Sequence, residues 1–302
     1  MQKPGDLLES VLNEIEKRIK KDINADFLAD NAGLSSVHLQ RLFKFAFNQS
    51  IGAYIRSRKL TASLESLLTT NSNLVSIALE YGFEYEQSYV RSFKREFGVT
   101  PGIIRRTGQI AKVTPPLNLH DAQLFTNCII FNPEIVMVPQ FHVIGRKHHV
   151  PYIDTIKHIK KLMVHFLENE RSKIADMAEP NVYIGLMRTG GIGTDYYWFL
   201  PSIQVRTLKN IPEGFEGYTL NPSLYAKFRY IGQHHYLDIN QENSVHIHSV
   251  IRKFFNSEYG RKFCLLDNTY FVKIYGLPCD ENFCQIEWFT PIKKKAEDDE
   301  KC

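Results

Sequence analysis

The sequence predicts two different folds in one chain: an all-α first third and an α+β remainder. Three observations point there. Up to about residue 106, apolar residues recur at helical spacing, and the runs stop at glycines. Beyond residue 134, strand-like and helical runs follow one another in the same β-α-β-β order twice. The charge is also divided: residues 1–112 hold 16 Lys+Arg against 12 Asp+Glu, net +4, while 113–302 hold 21 of each. At 302 residues the chain has core enough for two domains.

In the first third, Leu8, Val11, Leu12, Ile15 and Ile19 predict a helix over 6–21. A short helix over 25–31 stops at Gly33, which tolerates positive φ. Ser35 or Ser36 caps a third helix whose buried stripe is Leu39, Leu42, Phe43 and Ala46. Gln40, Arg41 and Lys44 fall off that stripe. A longer helix, 51–68, turns Tyr54, Leu60, Leu64, Leu67 and Leu68 inward. The pattern then returns: a short helix over 74–81, Gly82 as the turn, and a helix over 86–97 with Tyr89, Phe93 and Phe97 inward. Gln87, Arg91, Lys94 and Arg95 stay outward. Gly98 stops it, and Thr100 caps a last helix with Pro101 at its first position.

A helix–turn–helix unit therefore occurs twice, and each second helix carries Gln and Arg on its free face. Arg pairs bidentately with guanine O6/N7 and Gln with adenine N6/N7 in the major groove. The bridging helix, about 27 Å at 1.5 Å per residue, is of the order of one DNA turn. Periodicity alone favours two ordinary helical hairpins with solvated faces, since helix-turn-helix geometry is generic.

The ordered motifs decide between these. Arg41-Leu-Phe-Lys44, Tyr54-Ile-Arg-Ser-Arg58, Ile77-Ala-Leu-Glu-Tyr-Gly-Phe83, Phe93-Lys94, Gly98-Val-Thr-Pro101 and Arg105 resemble the AraC/XylS DNA-binding domain. The resemblance covers 6–106. It implies contacts to double-stranded DNA from Val37, Gln40 and Arg41 in the first recognition helix, and from Glu86, Gln87 and Arg91 in the second. Lys44, Lys94 and Arg95 join them on the same faces. It also implies RNA polymerase as a partner. Two residues depart from close relatives: Val37 stands for a larger aromatic, and Glu86 for a small or amide residue. Two reading heads in one chain predict binding as a monomer.

Residues 107–134, with Pro115-Pro116 and poor periodicity, are expected to be a linker. The α+β domain is expected over 135–293. Strand-like runs fall at 135–146, 181–188, 196–205, 224–232, 263–276 and 283–292, with helices at 154–170 and 243–256. Ile144-Gly145 recurs as Ile231-Gly232, 87 residues on, and Trp198-Phe-Leu-Pro201 as Trp288-Phe-Thr-Pro291, 90 residues on. Two matches argue a duplicated unit with a groove between its halves. Tyr225-Ala-Lys-Phe228 with Gly232, and Ile286-Glu-Trp-Phe-Thr-Pro-Ile292, resemble the GyrI-like small-molecule-binding domain.

Glu287 is the candidate ligand residue. It alternates with aromatics in the last strand, and Tyr197 takes its place in the other copy. A carboxylate in an aromatic-walled groove attracts lipophilic cations. The resemblance places an effector-binding Glu here, so a small organic effector is expected against Glu287, either a cationic lipophilic molecule or a neutral amphiphile with a donor group. Phe289 shares its face; Trp288, Trp198, Tyr225 and Tyr230 are candidate walls, and Tyr183, Tyr270 and Phe228 further ones.

No metal or other cofactor is expected. His148-His149 and His234-His235 point to opposite faces of strands, and His246 and His248 do not share a helix face. Thr189-Gly-Gly-Ile-Gly193 reads as a hairpin turn, since no helix follows it. No catalytic set is recognisable, so a non-enzyme is expected; the rival is a GyrI-like hydrolase using a pocket Glu as base, and a third reading is a second domain that contacts only proteins. No apolar run approaches the ~18–20 residues of a membrane span. Without a signal-like apolar start, and with five cysteines forming no CxxC pair, the chain is expected to be cytoplasmic with free thiols. The tail 294–302 is expected to be disordered.

Overall fold

The computed structural model describes residues 3–108, 112–151, 153, 155–189, 195–266, 269–275 and 283–295. The chain divides into two compact units, Met1–His120 and Asp121–Cys302.

The first unit is seven helices: α1 Pro4–Lys17, α2 Ala25–Ala32, α3 Ser36–Phe47, α4 Ile51–Thr69, α5 Leu74–Glu80, α6 Glu86–Phe97 and α7 Pro101–Thr107. Their starts are set by side-chain caps. Asn24 accepts from the Phe27 amide at 2.9 Å, Ser35 from His38 at 3.3 Å, Ser50 from Ala53 at 3.2 Å and Asn73 from Ser76 at 2.8 Å. Thr100 precedes α7, but no side-chain bond caps it, and Pro101 supplies the start instead. Both turns inside the helix–turn–helix units need a left-handed residue: Gly33 has φ +66° and Gly82 φ +73°. At Gly82 a Cβ would also sit 2.6 Å from the Lys59 ammonium.

Leu60, Leu64, Leu67, Ile77, Tyr81, Tyr89 and Phe93 pack the second half of this unit. Leu68, expected inward, is 52% exposed. It follows Leu64 and Leu67 on the same turn, but the buried stripe of α4 runs through Leu60, Ser63, Leu64 and Leu67 and passes it by. Helix α1 ends at Lys17, short of the expected 21, and leaves Ile19 half-buried.

Residues 107–134 are not featureless. Thr114 to Leu117 lie along α4 as a strap. The Thr61 hydroxyl accepts from the Thr114 amide at 3.1 Å, and the Tyr54 hydroxyl accepts from the Leu117 amide at 3.0 Å. Arg58, which holds the Glu16 carboxylate through two bonds of 2.8 and 2.7 Å, also donates to the Thr114 carbonyl. Glu96 of α6 accepts from the Thr114 hydroxyl at 3.1 Å and from Ser57 at 2.9 Å. Strands begin soon after, at β1 Ala122–Leu124, β2 Cys128–Phe131 and β3 Glu134–Val138. All four residues of β2 are buried, so it lacks the alternation that would have revealed it.

The second unit continues with β4 Phe141–Gly145, β5 His148–Pro151, α8 Thr155–His165, β6 Val182–Thr189, β7 Tyr196–Val205, β8 Glu216–Leu220, β9 Ser223–Gly232, α9 Gln241–Asn256, β10 Phe263–Leu265, β11 Thr269–Tyr275 and β12 Cys284–Lys294. The run expected as one strand over 263–276 is thus two. The helix expected over 154–170 leaves α geometry at Phe166 and closes as a π turn to Glu170.

The sheet runs β1-β2-β9-β12-β11-β6-β7-β4-β8, with β3 on β9, β5 on β7 and β10 on β12. Every pairing is antiparallel. The runs β4-β5-α8-β6-β7 and β9-α9-β10-β11-β12, each one strand longer than the expected β-α-β-β, meet at the central β6–β11 pair, where Tyr183 faces Ile274 and Met187 faces Tyr270. Residues 190–193 of the expected turn and 296–302 of the expected tail lie outside the described residues, whereas Lys294, expected in the tail, closes β12.

One face of the sheet packs on α8 and α9, through residues such as Met163, Phe166, Ile247 and Val250. The other carries a separate cluster built on Phe141, Leu200, Tyr225, Phe271 and Phe289. No helix among the described residues is long and apolar enough to cross a membrane.

Candidate functional site

In the first unit the two candidate reading helices are α3 and α6. Leu39, Leu42, Phe43 and Ala46 bury one side of α3, and this fixes what the other side presents. Val37 is 76% exposed, Gln40 and Lys44 are exposed, and Arg41 is half-buried. The Gln40 amide donates to Ser36 at 3.1 Å, which holds it along the helix. On α6, burial of Tyr89 and Phe93 leaves Glu86, Gln87, Arg91, Lys94 and Arg95 all exposed. Glu86 sits in the first turn, where an acid complements the helix dipole. The bridging α4 has 19 residues, about 28 Å of helix at 1.5 Å per residue.

In the second unit a cavity of about 290 Å³ opens between α8, α9 and the sheet. Helix α8 contributes Ile159 and Met163, and α9 contributes Ile247 and His248. The sheet side includes Tyr183, Phe199, Tyr270 and Trp288. Tyr270 and Trp288 are stacked on one another, centroids 5.3 Å apart at 15°. The His248 ring stands edge-on to Trp288 at 5.9 Å. The Tyr183 hydroxyl is buried and has no hydrogen-bond partner among the described residues. Burial also drives its pKa well above the ordinary tyrosine value, so it remains a protonated donor.

Of the nine residues proposed from sequence as ligand contacts or walls, Trp288, Tyr183 and Tyr270 line this cavity, and Glu287, Phe289, Trp198, Tyr225, Tyr230 and Phe228 do not. Side chains alternate along a strand, so the face that offers Ile286 and Trp288 to the cavity turns Glu287 and Phe289 away. Phe289 and Tyr225 belong to the opposite cluster, with Trp198 packed against it and stacked on Tyr218 at 5.6 Å. Tyr230 is on the helix-covered side but buried, its hydroxyl 2.6 Å from the His234 ring.

Glu287 is engaged in a cross-strand polar network. Lys227 bridges it to Glu134, with both contacts at 3.2 Å, and Arg229 pairs Glu134 at 3.0 Å. The Tyr275 hydroxyl donates to the other Glu287 oxygen. Burial, and then the Glu287 charge, raise the Tyr275 pKa far above normal. The expectation that the Glu287 face lines the groove is therefore corrected: the cavity is on the other side.

The motif repeat is corrected by the same rule. Trp288 lines the cavity whereas Trp198 sits on the opposite face, so the two Trp-Phe pairs do not mark equivalent positions. A one-residue offset flips every side chain across a sheet. Tyr236 and Tyr197, also at the cavity, were not singled out as walls; their only signal in sequence is their type, shared with many core tyrosines. Among the described residues, no group of three or more His, Cys, Asp or Glu is placed to hold a metal ion. Cys128, Cys264 and Cys284 are free thiols.

Comparison with known proteins assigns both parts. Residues 28–107 match a helix-turn-helix domain and 131–257 a GyrI-like small molecule binding domain. The multiple antibiotic resistance protein MarA of Escherichia coli is 34% identical over 117 residues, 38% of this chain and 92% of MarA. The transcriptional regulator Rob of Salmonella typhimurium is 36% identical over 115 residues, 37% of this chain and 40% of Rob. The structure of SAV2435 bound to tetraphenylphosphonium covers 54% of this chain and 94% of its own, with 13% identity and a TM-score of 0.40. The two units thus match two domain types, a helix-turn-helix domain in the first and a GyrI-like small molecule binding domain in the second. The chain belongs to the AraC family of helix-turn-helix proteins, with MarA and Rob as relatives. The matched region spans 40% of the length of Rob.

Proposed function

We propose that this chain is a cytoplasmic transcription regulator. It reads two adjacent major grooves of duplex DNA as a monomer, works with RNA polymerase, and answers to a small organic molecule held in the second unit. The observation that carries this is the tandem arrangement of α3 and α6. Each follows a left-handed glycine turn, each is anchored by a buried apolar stripe, and each carries Gln, Arg and Lys outside that stripe. Nine contacts are proposed: Val37, Gln40, Arg41 and Lys44 on α3, and Glu86, Gln87, Arg91, Lys94 and Arg95 on α6.

The effector site is proposed to be the cavity between α8 and α9. A cation held by Glu287 loses its basis, because that acid is already paired with Lys227 and Tyr275 on the far side of the sheet. A hydrolase with Glu287 as base loses its basis for the same reason. The two runs are inferred to be related by duplication, on the strength of the β-α-β-β order they share about the β6–β11 pair.

The test uses the full chain and duplexes selected from a random pool. Arg91→Ala should cost about 1–3 kcal/mol at the selected site and relax preference in one half-site only. Affinity should fall steeply with salt as phosphate contacts release counterions. Unchanged affinity and preference for Arg91→Ala would remove α6 from the interface.

A further inference from the structure

The cavity's lining differs from what a cation requires. Among the described residues around it there is no carboxylate. Its charged lining residue, Lys160, lies 3.6 Å from Asp238, and both are substantially exposed. Desolvation holds the His248 pKa below the ordinary histidine value, so its ring is uncharged at pH 7.5. A cation entering this space would lose water and gain no counter-charge, which is unfavourable. A neutral molecule meets no such cost.

Two features say more about the occupant. Tyr270 and Trp288 lie nearly parallel, both half-buried, and form an aromatic platform. Tyr183 belongs to the same lining, and its hydroxyl is buried with no hydrogen-bond partner among the described residues. A buried hydroxyl left without a partner costs free energy that a ligand acceptor can recover. The register sets their separation. Tyr270 pairs Met187 and Ile274 pairs Tyr183, so four residues of strand, about 13 Å, lie between the platform and the donor's position. That length suits two or three fused rings, with the tyrosine side chain covering the remainder.

Resting on the reading of this cavity as the ligand site, we infer that its ligand is a flat, uncharged aromatic molecule carrying a hydrogen-bond acceptor. It stacks on the Tyr270–Trp288 pair and accepts from the Tyr183 hydroxyl. The inference is about ligand class, and Tyr183 is its specificity residue.

The probes are acridine, uncharged at pH 7.5 with one ring-nitrogen acceptor, and 10-methylacridinium, the same rings with that nitrogen blocked and charged. Each is titrated calorimetrically into the full chain, its Tyr183→Phe variant and an Ile159→Trp variant that obstructs the cavity. Thermal melting of each variant establishes that it is folded. The expected result is acridine binding at least tenfold tighter than 10-methylacridinium to the wild type. Tyr183→Phe should bring the two within about twofold, because the ring stays and only the donor goes. Ile159→Trp should abolish both. If 10-methylacridinium binds as tightly as acridine or tighter, the ligand class is overturned while the cavity stands. Full acridine affinity in Tyr183→Phe overturns the role of the hydroxyl. Binding of neither probe, or full acridine affinity in folded Ile159→Trp, overturns the reading of the cavity itself.

Discussion

The two units of this chain hide their functional faces from sequence to different degrees. In the helical unit, a buried stripe at 3.6-residue spacing fixes the exposed side without further information. Once Leu39, Leu42, Phe43 and Ala46 are inside, Gln40 and Lys44 are outside. In the sheet unit, the period of two tells which residues share a face but not which face meets the helices. Ile286 and Trp288 are on one side and Glu287 and Phe289 on the other, and both sides of this strand are apolar enough to be a core. The lesson is that a sheet covered on both faces conceals the phase on which a ligand site depends.

The units should also respond separately to damage, and the largest break comes from a core aromatic. Phe93 is fully buried between Tyr89 and Phe97. Phe93→Ala should cost the helical unit about 3–5 kcal/mol. Both tryptophans, Trp198 and Trp288, lie in the sheet unit, so their emission follows that unit alone. Denaturant unfolding followed by helical ellipticity should move to lower midpoint while the tryptophan transition stays. Coincident shifts would mean that the units unfold as one.

Acid should separate them next. In the sheet unit, burial lowers the pKa values of His148 and His234 from 6.5. Their neutral forms are favoured when folded, so this contribution is complete above about pH 6.5 and lost as pH falls toward the folded values. In the helical unit the hydrogen bond from Arg58 lowers Glu16 from 4.5, so its contribution is lost only below that pH. Between pH 7.5 and 5.5 the melting temperature reported by tryptophan emission should fall, with that of the helical unit nearly constant. Equal sensitivity in both would contradict the burial argument.

A smaller effect sharpens the assignment of faces. Glu287→Gln leaves Lys227 its second partner, Glu134, and keeps the shape of the side chain. It should cost the sheet unit about 1 kcal/mol, well short of an isolated buried charge, and leave acridine affinity unchanged. A selective loss of ligand binding would return Glu287 to the site. Smallest of all should be Leu68→Ala, under about 0.5 kcal/mol despite the residue type, because the side chain is half in water. A cost near 2 kcal/mol by denaturant unfolding would place it in the core after all.

Legibility followed the same division. Both helix–turn–helix units, their glycine turns and the Ser35 cap were readable, because each signal is local, whereas the caps Asn24, Ser50 and Asn73 went unread. The outward Gln, Arg and Lys residues were readable for that reason too. Strand order was partly readable from the recurring β-α-β-β run. The cavity was not: its floor mixes residues from β6, β7, β11 and β12 that no local spacing links. Neither was β2, whose four buried residues carry no period. Tyr183 and Tyr270 were named among the candidate walls, but an unpartnered hydroxyl is a property of its surroundings rather than of the chain.

The strap of Thr114 to Leu117 bears on how such proteins can be assembled from parts. Tyr54, Thr61 and Glu96 each hydrogen-bond to it, and Arg58 gives its carbonyl one bond besides the pair with Glu16. A gene fusion joined at residue 106 would inherit the helices but lose those bonds. One joined after Leu119 would keep them. The exchangeable cassette in this lineage is therefore longer than its last helix, and the seam between interchangeable parts lies beyond the strap.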